Sequence, residues 1–403
     1  MCPASGRPRR RRTARRAGTS GSGTASSPRR RPGSGPAPPA VASMAEPAFA
    51  SAFPVFTVGG TRQPELARDL VRLDVEEDVE GLRTLSAHLL AAAPRRRPST
   101  DVVEYLDGDV LDFGARLQVS LGPPGNERVV FTGSISALEI RFTEADVPAV
   151  RVFAEDDLMR LRFSQRSATY VRSSDEDVAA SVARRHGLAP RLAAAGPTYD
   201  TVQQLNQSDL AFLRERARRI QAELWAGDRE LHLATRDRRP GSRVTLTRGS
   251  DLIDVTARAD LAEQCTSVHV SGYDATTRSA IETEAPASTV EAETTGGRTG
   301  PQTLRRAFGD VAGRRVRDVP LLEVEASVLA RAEMLRRSRR FVQLQGTTTG
   351  TPQLVVGSRV TLARCGRPFD GGGYYVTRFH HSFDLTRGLR TRFAAERPTV
   401  NAG

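Results

Sequence analysis

Histidines are the side chains of this sequence that could most readily bind a metal or carry a proton. The six are His88, His186, His232, His269, His380 and His381. None lies in an HExxH arrangement and no cysteine pair accompanies them, so their spacing gives no support for a metal site. The adjacent His380 and His381 are expected to point to opposite faces of a strand, which favours ordinary packing over a shared site.

Aspartates form two clusters that could do acid–base chemistry, Asp156 with Asp157 and Asp175 with Asp177. A glycosidase holds two carboxyl groups about 5–10 Å apart across a sugar, and the sequence leaves that geometry open for the first cluster. The second cluster has a structural explanation, because Ser174 followed three positions later by Asp177 is a variant of the capping box that begins a helix. A cell-wall hydrolase that uses acids such as Asp156 is therefore one candidate function.

Nucleophile and phosphate-binding motifs are missing from the sequence. The GxSxG pattern of serine hydrolases does not occur, and the glycine run at 371–373 is followed by neither a lysine nor a helix pattern. Cys2, Cys265 and Cys365 are too few and too scattered for a disulfide framework, which indicates synthesis in a reducing cytoplasm. The sequence predicts no catalytic residue, no cofactor and no metal ligand.

Positive charge is concentrated at the start of the chain. The net charge is +12, and ten arginines with no acidic residue lie within residues 1–45, so the remainder is nearly neutral. The ten are Arg7, Arg9, Arg10, Arg11, Arg12, Arg15, Arg16, Arg29, Arg30 and Arg31. This Pro/Gly/Ser-rich segment is expected to be a disordered tail, or to lie upstream of a true start at Met44. A nucleic-acid-binding β protein that uses the tail is a further candidate function, which the nearly neutral remainder argues against.

The clearest helix pattern lies between Tyr199 and Trp225. Five apolar residues recur there at steps of three and four and so share one helix face: Leu210, Leu213, Ala217, Ile220 and Leu224. Ser208 is placed to cap the helix, Asp209 adds a negative charge at its positive end, and Gly227 is the expected stop. The opposite face is expected to be solvated: Arg214, Glu215, Arg218 and Arg219.

A second helix is predicted to begin after Ser174 and to end at Gly187, which suits the left-handed residue that closes a helix. His186 in its last turn is expected to face the negative helix end. With a linker, the helix above and a short strand after it, this gives a small α/β insert over residues 172–238.

Alternating apolar and polar residues predict strands on both sides of the insert. The first β block covers residues 46–171, with clear alternation at 70–75. Residues 116–121 lead into a Gly-Pro-Pro-Gly-Asn turn, which indicates a hairpin. Within this block, residues 82–93 are expected to be a helical excursion or a strand-edge loop.

The second β block covers residues 239–400. A long loop is predicted near 275–314, where large apolar residues are almost absent, and a helix is predicted near 326–340. No apolar run approaches the about 20 residues needed to cross a bilayer, so stable membrane insertion is not expected. The patterns together predict a mainly β protein with an α+β insert.

Residues 204–213 contain a pattern that resembles the signature of a known protein family. It has the form Q-x-N-x-S-D-x-x-F-L and consists of Gln204, Asn206, Ser208, Asp209, Phe212 and Leu213. The pattern resembles the signature of the phage late control D family, which includes the baseplate hubs of contractile phage tails and the N-terminal part of type VI secretion VgrG proteins. The resemblance extends over roughly residues 50–400.

This resemblance implies two tube-protein-like antiparallel β-barrels joined by the small α/β domain, in a trimeric hub. Such a hub adapts a hexameric inner tube to a threefold central spike. The implied partners are a homotrimer, an inner tube protein, a separate spike or tip protein and baseplate wedge proteins, with no specific nucleic acid. The hub would be assembled in the bacterial cytoplasm as a component of a phage tail or phage-like contractile particle. VgrG proteins continue into a repetitive β-helix needle that this sequence lacks, so the spike is expected to be a separate polypeptide.

Overall fold

Antiparallel strands dominate the chain, as the alternating patterns predict, and helices are concentrated in the insert and the second block. The computed structural model describes residues 53–91, 103–144, 147–194, 196–294, 296–315, 320 and 322–400. The Arg-rich segment 1–45 lies outside these residues, so its predicted disorder stays a prediction.

The strands of the described residues are numbered in chain order. They are β1 (Val55–Val58), β2 (Thr61–Arg62), β3 (Leu70–Asp78), β4 (Thr84–Leu90), β5 (Arg116–Leu121), β6 (Arg128–Arg141), β7 (Ala149–Glu155), β8 (Gln165–Ser173), β9 (Ala189–Ala193), β10 (Tyr199–Ser208), β11 (Ala222–Gly227), β12 (Glu230–Thr235), β13 (Arg243–Thr247), β14 (Leu252–Ala259), β15 (Ser267–Asp274), β16 (Ser279–Pro286), β17 (Arg298–Thr299), β18 (Ala312–Arg315), β19 (Val342–Thr349), β20 (Arg359–Ala363), β21 (Gly371–Asp384), β22 (Gly388–Arg397) and β23 (Thr399–Val400). The helices are α1 (Pro64–Arg68), α2 (Asp175–Arg185), α3 (Asp209–Ile220), α4 (Ser288–Glu291), α5 (Gly300–Phe308), α6 (Glu323–Arg339) and the 3-10 helix η1 (Asp157–Arg162).

One sheet of 13 strands crosses the boundary between the two β blocks. Its path runs β14-β19-β22-β21-β3-β4-β7-β6-β5-β1-β2, with β20 and β13 branching from β21. The blocks meet where residues 72–78 of β3 pair antiparallel with residues 378–384 of β21. The β5–β6 hairpin predicted after residue 121 is confirmed.

Apolar side chains from both blocks fill two cores beside this sheet. The first core contains Leu73 and Val75 and also takes in Phe379 and Phe383 from the second block. The second core lies around Phe393. Burying a side chain of this size stabilises the folded state by about 1.5–3 kcal/mol relative to leaving it exposed. The two blocks are therefore held together by shared apolar packing as well as by backbone pairing.

Residues 84–90 form a strand, β4, so the helix or edge loop predicted for 82–93 is wrong over this range. Strand β4 lies inside the sheet, paired with β3 on one side and β7 on the other. Leu85, Ala87 and Leu89 are buried and alternate with less buried neighbours. The leucines and alanines suggested a helix, but the period of two and the two partner strands decided the conformation.

The long loop predicted near 275–314 is also wrong, because this range contains β16, α4, β17, α5 and β18. Strands β16, β15 and β18 form a small sheet. Helix α6 lies where a helix was predicted near 326–340 and covers that sheet with Leu329, Ala330 and Met334. The sheet side of this core contains Val268, Val270 and Ile281, so small and β-branched residues face the helix. Within the described part of the chain, no helix is long and apolar enough to cross a membrane.

The insert contains two small sheets and two helices around a core of its own. Strands β11, β12 and β9 form one sheet, and β8 pairs with β10 in a two-stranded ribbon. The predicted linker between the helices therefore contains strands β9 and β10. Leu158 and Leu161 of η1, which precede the insert, also pack in its core. The boundaries of the three predicted domains stay predictions.

Helix α3 begins where the sequence predicts and ends earlier. Ser208 Oγ accepts from the Ala211 N–H at 3.2 Å, which confirms the N-cap. The helix stops at Gln221, which has a left-handed φ of 55°, so Gly227 is not the stop. Leu224 consequently belongs to strand β11 and not to the apolar helix face.

Candidate functional site

The residues of the 204–213 pattern lie where strand β10 turns into helix α3. Gln204 and Asp209 are fully buried, and Gln204 Nε2 donates to Asp209 Oδ1 at 2.9 Å and to the Gln207 carbonyl at 3.0 Å. Asn206 lies between them at a bulge of β10, with a left-handed φ of 47° that asparagine adopts more readily than most residues. The bulge bends the strand so that the glutamine side chain meets the first residue of the helix.

Asp209 is the centre of a group that we call the motif cluster. Its members are Gln204, Asp209, Arg166, Arg185 and His186. Arg185 Nη1 approaches the carboxylate at 3.1 Å and His186 Nε2 at 2.8 Å. Burial alone would raise the pKa of Asp209, but the bonds from Gln204 and His186 and the charge of Arg185 hold that pKa below its usual range. His186 therefore ties α2 to the start of α3, whereas the sequence suggested only a contact with its own helix end.

The remaining residues of the pattern pack or cap. Phe212 is buried and stacks on Tyr170 of β8, with ring centroids 5.9 Å apart. Leu213 is fully buried in the core of the insert, and Ser208 is the helix cap. The residues of the pattern thus stabilise one turn from a strand into a helix. The assignment of the pattern to the late control D signature stays a prediction.

A second buried ion pair crosses the insert between α2 and α3. Arg216 Nε donates to Asp175 Oδ1 at 2.5 Å, and its guanidinium lies 4.4 Å from the centre of the Tyr199 ring. The capping box at Ser174 and Asp177 is confirmed, but helix capping does not account for Asp175. That carboxylate is fully buried and balances the Arg216 charge.

The solvated face predicted for α3 is wrong at two of its four positions. Arg214 donates to the carbonyls of Glu80 at 2.8 Å and Gly81 at 3.0 Å, in the turn between β3 and β4. Arg219 pairs with Glu325 of α6 at 2.8 Å. Helix α3 is therefore attached to both β blocks through its arginines.

Three acids and three arginines meet where the two β blocks contact the insert. This junction cluster consists of Glu77, Arg83, Glu223, Arg236, Arg239 and Glu396. Glu77 belongs to the first block, Glu223 to the insert and Glu396 to the second block. Its formal charges balance, as burial of charged groups requires.

Glu223 is bonded to three different side chains at the junction. Its Oε2 accepts from Arg239 Nη1 at 3.0 Å and from the Tyr375 hydroxyl at 2.5 Å, and its Oε1 accepts from Arg236 Nε at 3.0 Å. Burial, followed by the charge of Glu223, raises the pKa of Tyr375 well above its usual range. The hydroxyl therefore stays protonated and remains a donor.

Glu77 of the first block and Glu396 of the second block bind the remaining arginine donors of the cluster. Arg83 donates to Glu77 at 2.8 and 2.6 Å, Arg239 donates to the same carboxylate, and Arg236 Nη1 donates to Glu396 at 2.5 Å. Burial alone would raise the pKa of Glu77, but the charges of Arg83 and Arg239 outweigh it and lower that pKa. Removing one partner would leave the others buried without compensation.

Trp225 lies beside the junction cluster and can serve as a fluorescence probe of it. The guanidinium of Arg239 lies 4.6 Å from its ring centre, and the His232 ring stacks on it with centroids 4.8 Å apart. It is the single tryptophan of the sequence. Its fluorescence will therefore report on the contact between the insert and the two blocks.

Asp156 and Asp157, the acids considered for a hydrolase, are both bonded to neighbouring groups of the fold. Asp156 is buried and accepts from the Arg83 N–H at 2.8 Å and the Leu158 N–H at 3.0 Å, and Asp157 is bonded to Arg116 at 2.7 Å. Burial raises the pKa of Asp156 to about 7. Neither residue lines the two clefts of about 770 and 630 Å³, so their bonds are structural.

The histidine pair on β21 points to opposite faces, as predicted. His381 is buried with Nδ1 2.8 Å from the Thr391 hydroxyl, and burial lowers its pKa to about 3. His380 lies on the other face, 2.8 Å from Asp74. Among the residues with described positions, no group of three or more His, Cys, Asp or Glu could hold a metal ion.

The junction cluster was not identified from the sequence, although one signal for it exists. In β3 the buried positions are Leu70, Leu73, Val75 and Glu77, so a glutamate continues the apolar alternation of Leu73 and Val75 at an inward position. Such a residue requires a buried partner of opposite charge. The pattern does not say which of the many arginines provides it.

Comparison with solved structures shows that the fold is that of phage tail proteins. The 43 kDa tail protein of prophage MuSo2 from Shewanella oneidensis matches with a TM-score of 0.63 at 13% identity, over 86% of this chain and 99% of that one. A tail protein from Neisseria meningitidis matches with a TM-score of 0.58 at 14% identity, over 86% and 96% of the two chains. A component of the E. coli type VI secretion system matches with a TM-score of 0.52 at 13% identity, over 85% and 76%.

Residues 75–384 match the family described as the Alg8 N-terminal domain, and the chain belongs to that family. The match does not test the narrower resemblance to late control D and VgrG proteins, which stays a prediction. No curated protein matches the sequence.

Proposed function

We propose that this protein is the structural baseplate hub of a contractile phage tail or contractile injection particle. Three copies would form a ring that adapts a hexameric inner tube to a threefold spike. Its partners would be two further copies of the chain, the tube protein, a spike or tip protein and baseplate wedge proteins. Assembly would take place in the bacterial cytoplasm.

The observation that carries the proposal is the continuous sheet across the two β blocks. Strands β14, β19, β22 and β21 of the second block are followed directly by β3, β4, β7 and β6 of the first. Each set of four includes one strand of 14 residues, β21 or β6, that also pairs with strands outside the set. Three copies would therefore present six similar four-stranded panels, which suits a sixfold tube.

Strand β14 supports a ring because it ends the sheet. Among the described strands it pairs only with β19, apart from a single bridge between Leu252 and Arg248, and Ile253 at its start is 45% exposed. An exposed strand edge favours pairing with another chain, and in a closed ring the neighbouring copy would cover it.

The test is the mass of the full chain in solution by light scattering, alone and with tube and spike proteins. We expect a threefold mass. Ile253→Glu, which puts a charge at the strand edge, should reduce the trimer without unfolding the chain. The control is Leu385→Glu, which changes another exposed apolar residue, 61% accessible, in the turn between β21 and β22. A monomer under every condition, including with both partners present, would overturn the proposal.

A further inference from the structure

Strand β22 places two arginines side by side on the exposed face of the large sheet. Arg390 and Arg392 are two residues apart on the strand, so their side chains leave the same face about 7 Å from each other. Across β21 they are paired with Ser382 and His380, and across β19 with threonines. The pair therefore lies among hydroxyl and imidazole groups that can also donate hydrogen bonds.

Within the described part of the chain these two arginines have no carboxylate partner, unlike the arginines at 72, 378 and 387 beside them. The neighbouring ion pairs are Arg72–Asp74, Arg378–Glu76, Arg387–Asp384 and His380–Asp74. Among the described residues Arg390 and Arg392 make no ion pair, and Nε of Arg390 is buried without a hydrogen-bond partner. A buried donor without an acceptor is costly, and an anion bound there would remove that cost.

The pair lies in a cleft of about 630 Å³. Five arginines and a single acidic residue, Asp254, contribute to the wall of this cleft. The acids beside the cleft on β3 and β21 are already bonded to cations, so Asp254 is the acid of the wall that remains to offset the two charges of Arg390 and Arg392, and a net positive charge is left. The net charge of residues 46–403 is nearly neutral, but the local charge at this cleft is positive.

We propose that this cleft binds the phosphate backbone of double-stranded nucleic acid without regard to sequence. Arginine guanidinium groups bind phosphate in a bidentate manner, and serine and threonine hydroxyls are common further donors to phosphate oxygens. The inference goes beyond the hub proposal and does not depend on ring formation, because all of these groups belong to one chain.

The lining of the cleft favours a phosphate backbone over a protein partner or exposed bases. The aromatic residues at the cleft, Phe379 and Phe393, are 0% and 4% exposed and pack in the cores. A protein interface usually has accessible aromatic or apolar anchors at its centre, and single-stranded binding uses aromatic stacking platforms. Interfaces with duplex backbones are polar and positive, as this cleft is.

The test uses the full chain and a labelled duplex of mixed sequence, with affinity followed by fluorescence anisotropy from about 50 to 200 mM salt. The double variant Arg390→Gln with Arg392→Gln should lower the slope of log affinity against log salt by about 1.8, since each phosphate contact contributes about 0.9. The loss of affinity caused by the double variant should be the same for duplexes of different sequence. Arginines before residue 46 add a constant contribution that is present in every variant.

The control is the double variant Arg238→Gln with Arg306→Gln, which removes the same net charge from two exposed positions outside the cleft. An equal slope change in the control would overturn the proposal, because net charge alone would then explain binding. Displacement of the duplex by polyglutamate more readily than by a phosphate polymer of equal charge would also overturn it, in favour of an acidic polypeptide. If the double variant does not fold, Arg392→Gln alone, at an exposed position, should lower the slope by about 0.9.

Discussion

The motif cluster and the junction cluster both bury carboxylates among arginines, but they connect very different lengths of chain. In the motif cluster, Asp209 is bonded to groups 5, 23 and 24 positions away. In the junction cluster, Glu223 is bonded to Tyr375 across 152 positions and Arg239 to Glu77 across 162. The first therefore holds one strand-to-helix turn in place, whereas the second holds the insert and both β blocks together. Variants that break one cluster at a time should therefore destabilise different parts of the protein.

The largest loss is expected from Leu213→Asp, which tests how far the insert depends on its own core. A charge placed at this fully buried position has no partner, so we expect a loss of at least about 4 kcal/mol in the free energy of unfolding. Ile220→Asp should cost much less, because Ile220 is only partly buried in the structure. Urea denaturation followed by circular dichroism provides the comparison, and equal losses for the two variants would refute this helix orientation.

Glu223→Gln should have the next largest effect. The amide keeps the size of the side chain but removes one counter-charge from a balanced cluster, so that Arg236 retains only Glu396 and Arg239 only Glu77. Breaking a buried pair in this way costs about 3–5 kcal/mol. Because the cluster bridges three regions, the urea midpoints followed by Trp225 fluorescence and by far-UV circular dichroism should both move to lower urea by the same amount. A fluorescence change with no change in overall stability would show that the junction does not hold the blocks together.

Asp209→Asn is the matched change in the motif cluster, and we expect a loss of about 1–3 kcal/mol. The effect should be smaller than at Glu223 because Arg166 and Arg185 are partly exposed and water can replace the carboxylate. Hydrogen exchange should show faster opening of α2 and α3 with the large sheet unchanged. A global loss equal to that of Glu223→Gln would contradict the distinction between the clusters.

The pH dependence of stability tests Asp156, which accepts from the backbone of Arg83 beside the junction cluster. Its folded pKa of about 7 is raised above its unfolded value, so its contribution is fully present below the unfolded pKa and is lost as pH rises through 7. Between pH 6 and 8 the wild type should lose about 1.4 kcal/mol that Asp156→Asn does not lose. Parallel pH profiles for the two proteins would show that the carboxyl is not protonated in the folded state.

The smallest effect is expected from Asp237→Asn, at an ion pair close to the junction in sequence but on the surface. The side chains of Asp237 and Arg238 are 71% and 70% exposed, and such pairs contribute about 0–1 kcal/mol. The midpoint of urea denaturation should hardly move. A loss comparable to that at Glu223 would mean that burial is not what distinguishes the junction cluster.

The elements that could be predicted are those whose signal is local. The cap at Ser208 and the capping box at Ser174 each depend on residues within a few positions, and the structure confirms them. The alternation predicted at 70–75 is confirmed from Leu73 onward and fails before it, because Leu70 is buried and Val71 is exposed where the pairing with β4 shifts. The predictions failed where a distant partner decided the conformation. Residues 84–90 became a central strand because β3 and β7 lie on either side, and much of 275–314 folded because α6 covers it.

The sequence by itself determined a mainly β chain with an α/β insert, and it placed Gln204 to Leu213 at the start of a helix. It could do so because helix caps and the periods of 2 and 3.6 are short-range properties. Only the tertiary structure decided that the two β blocks share one sheet through β3 and β21. It also decided which arginines reach Glu77 and Glu223, and that Arg390 and Arg392 form no ion pair with any described carboxylate. Ion pairing depends on distance in space, and a chain with 59 basic residues, all of them arginine, contains many equivalent candidates for every acid.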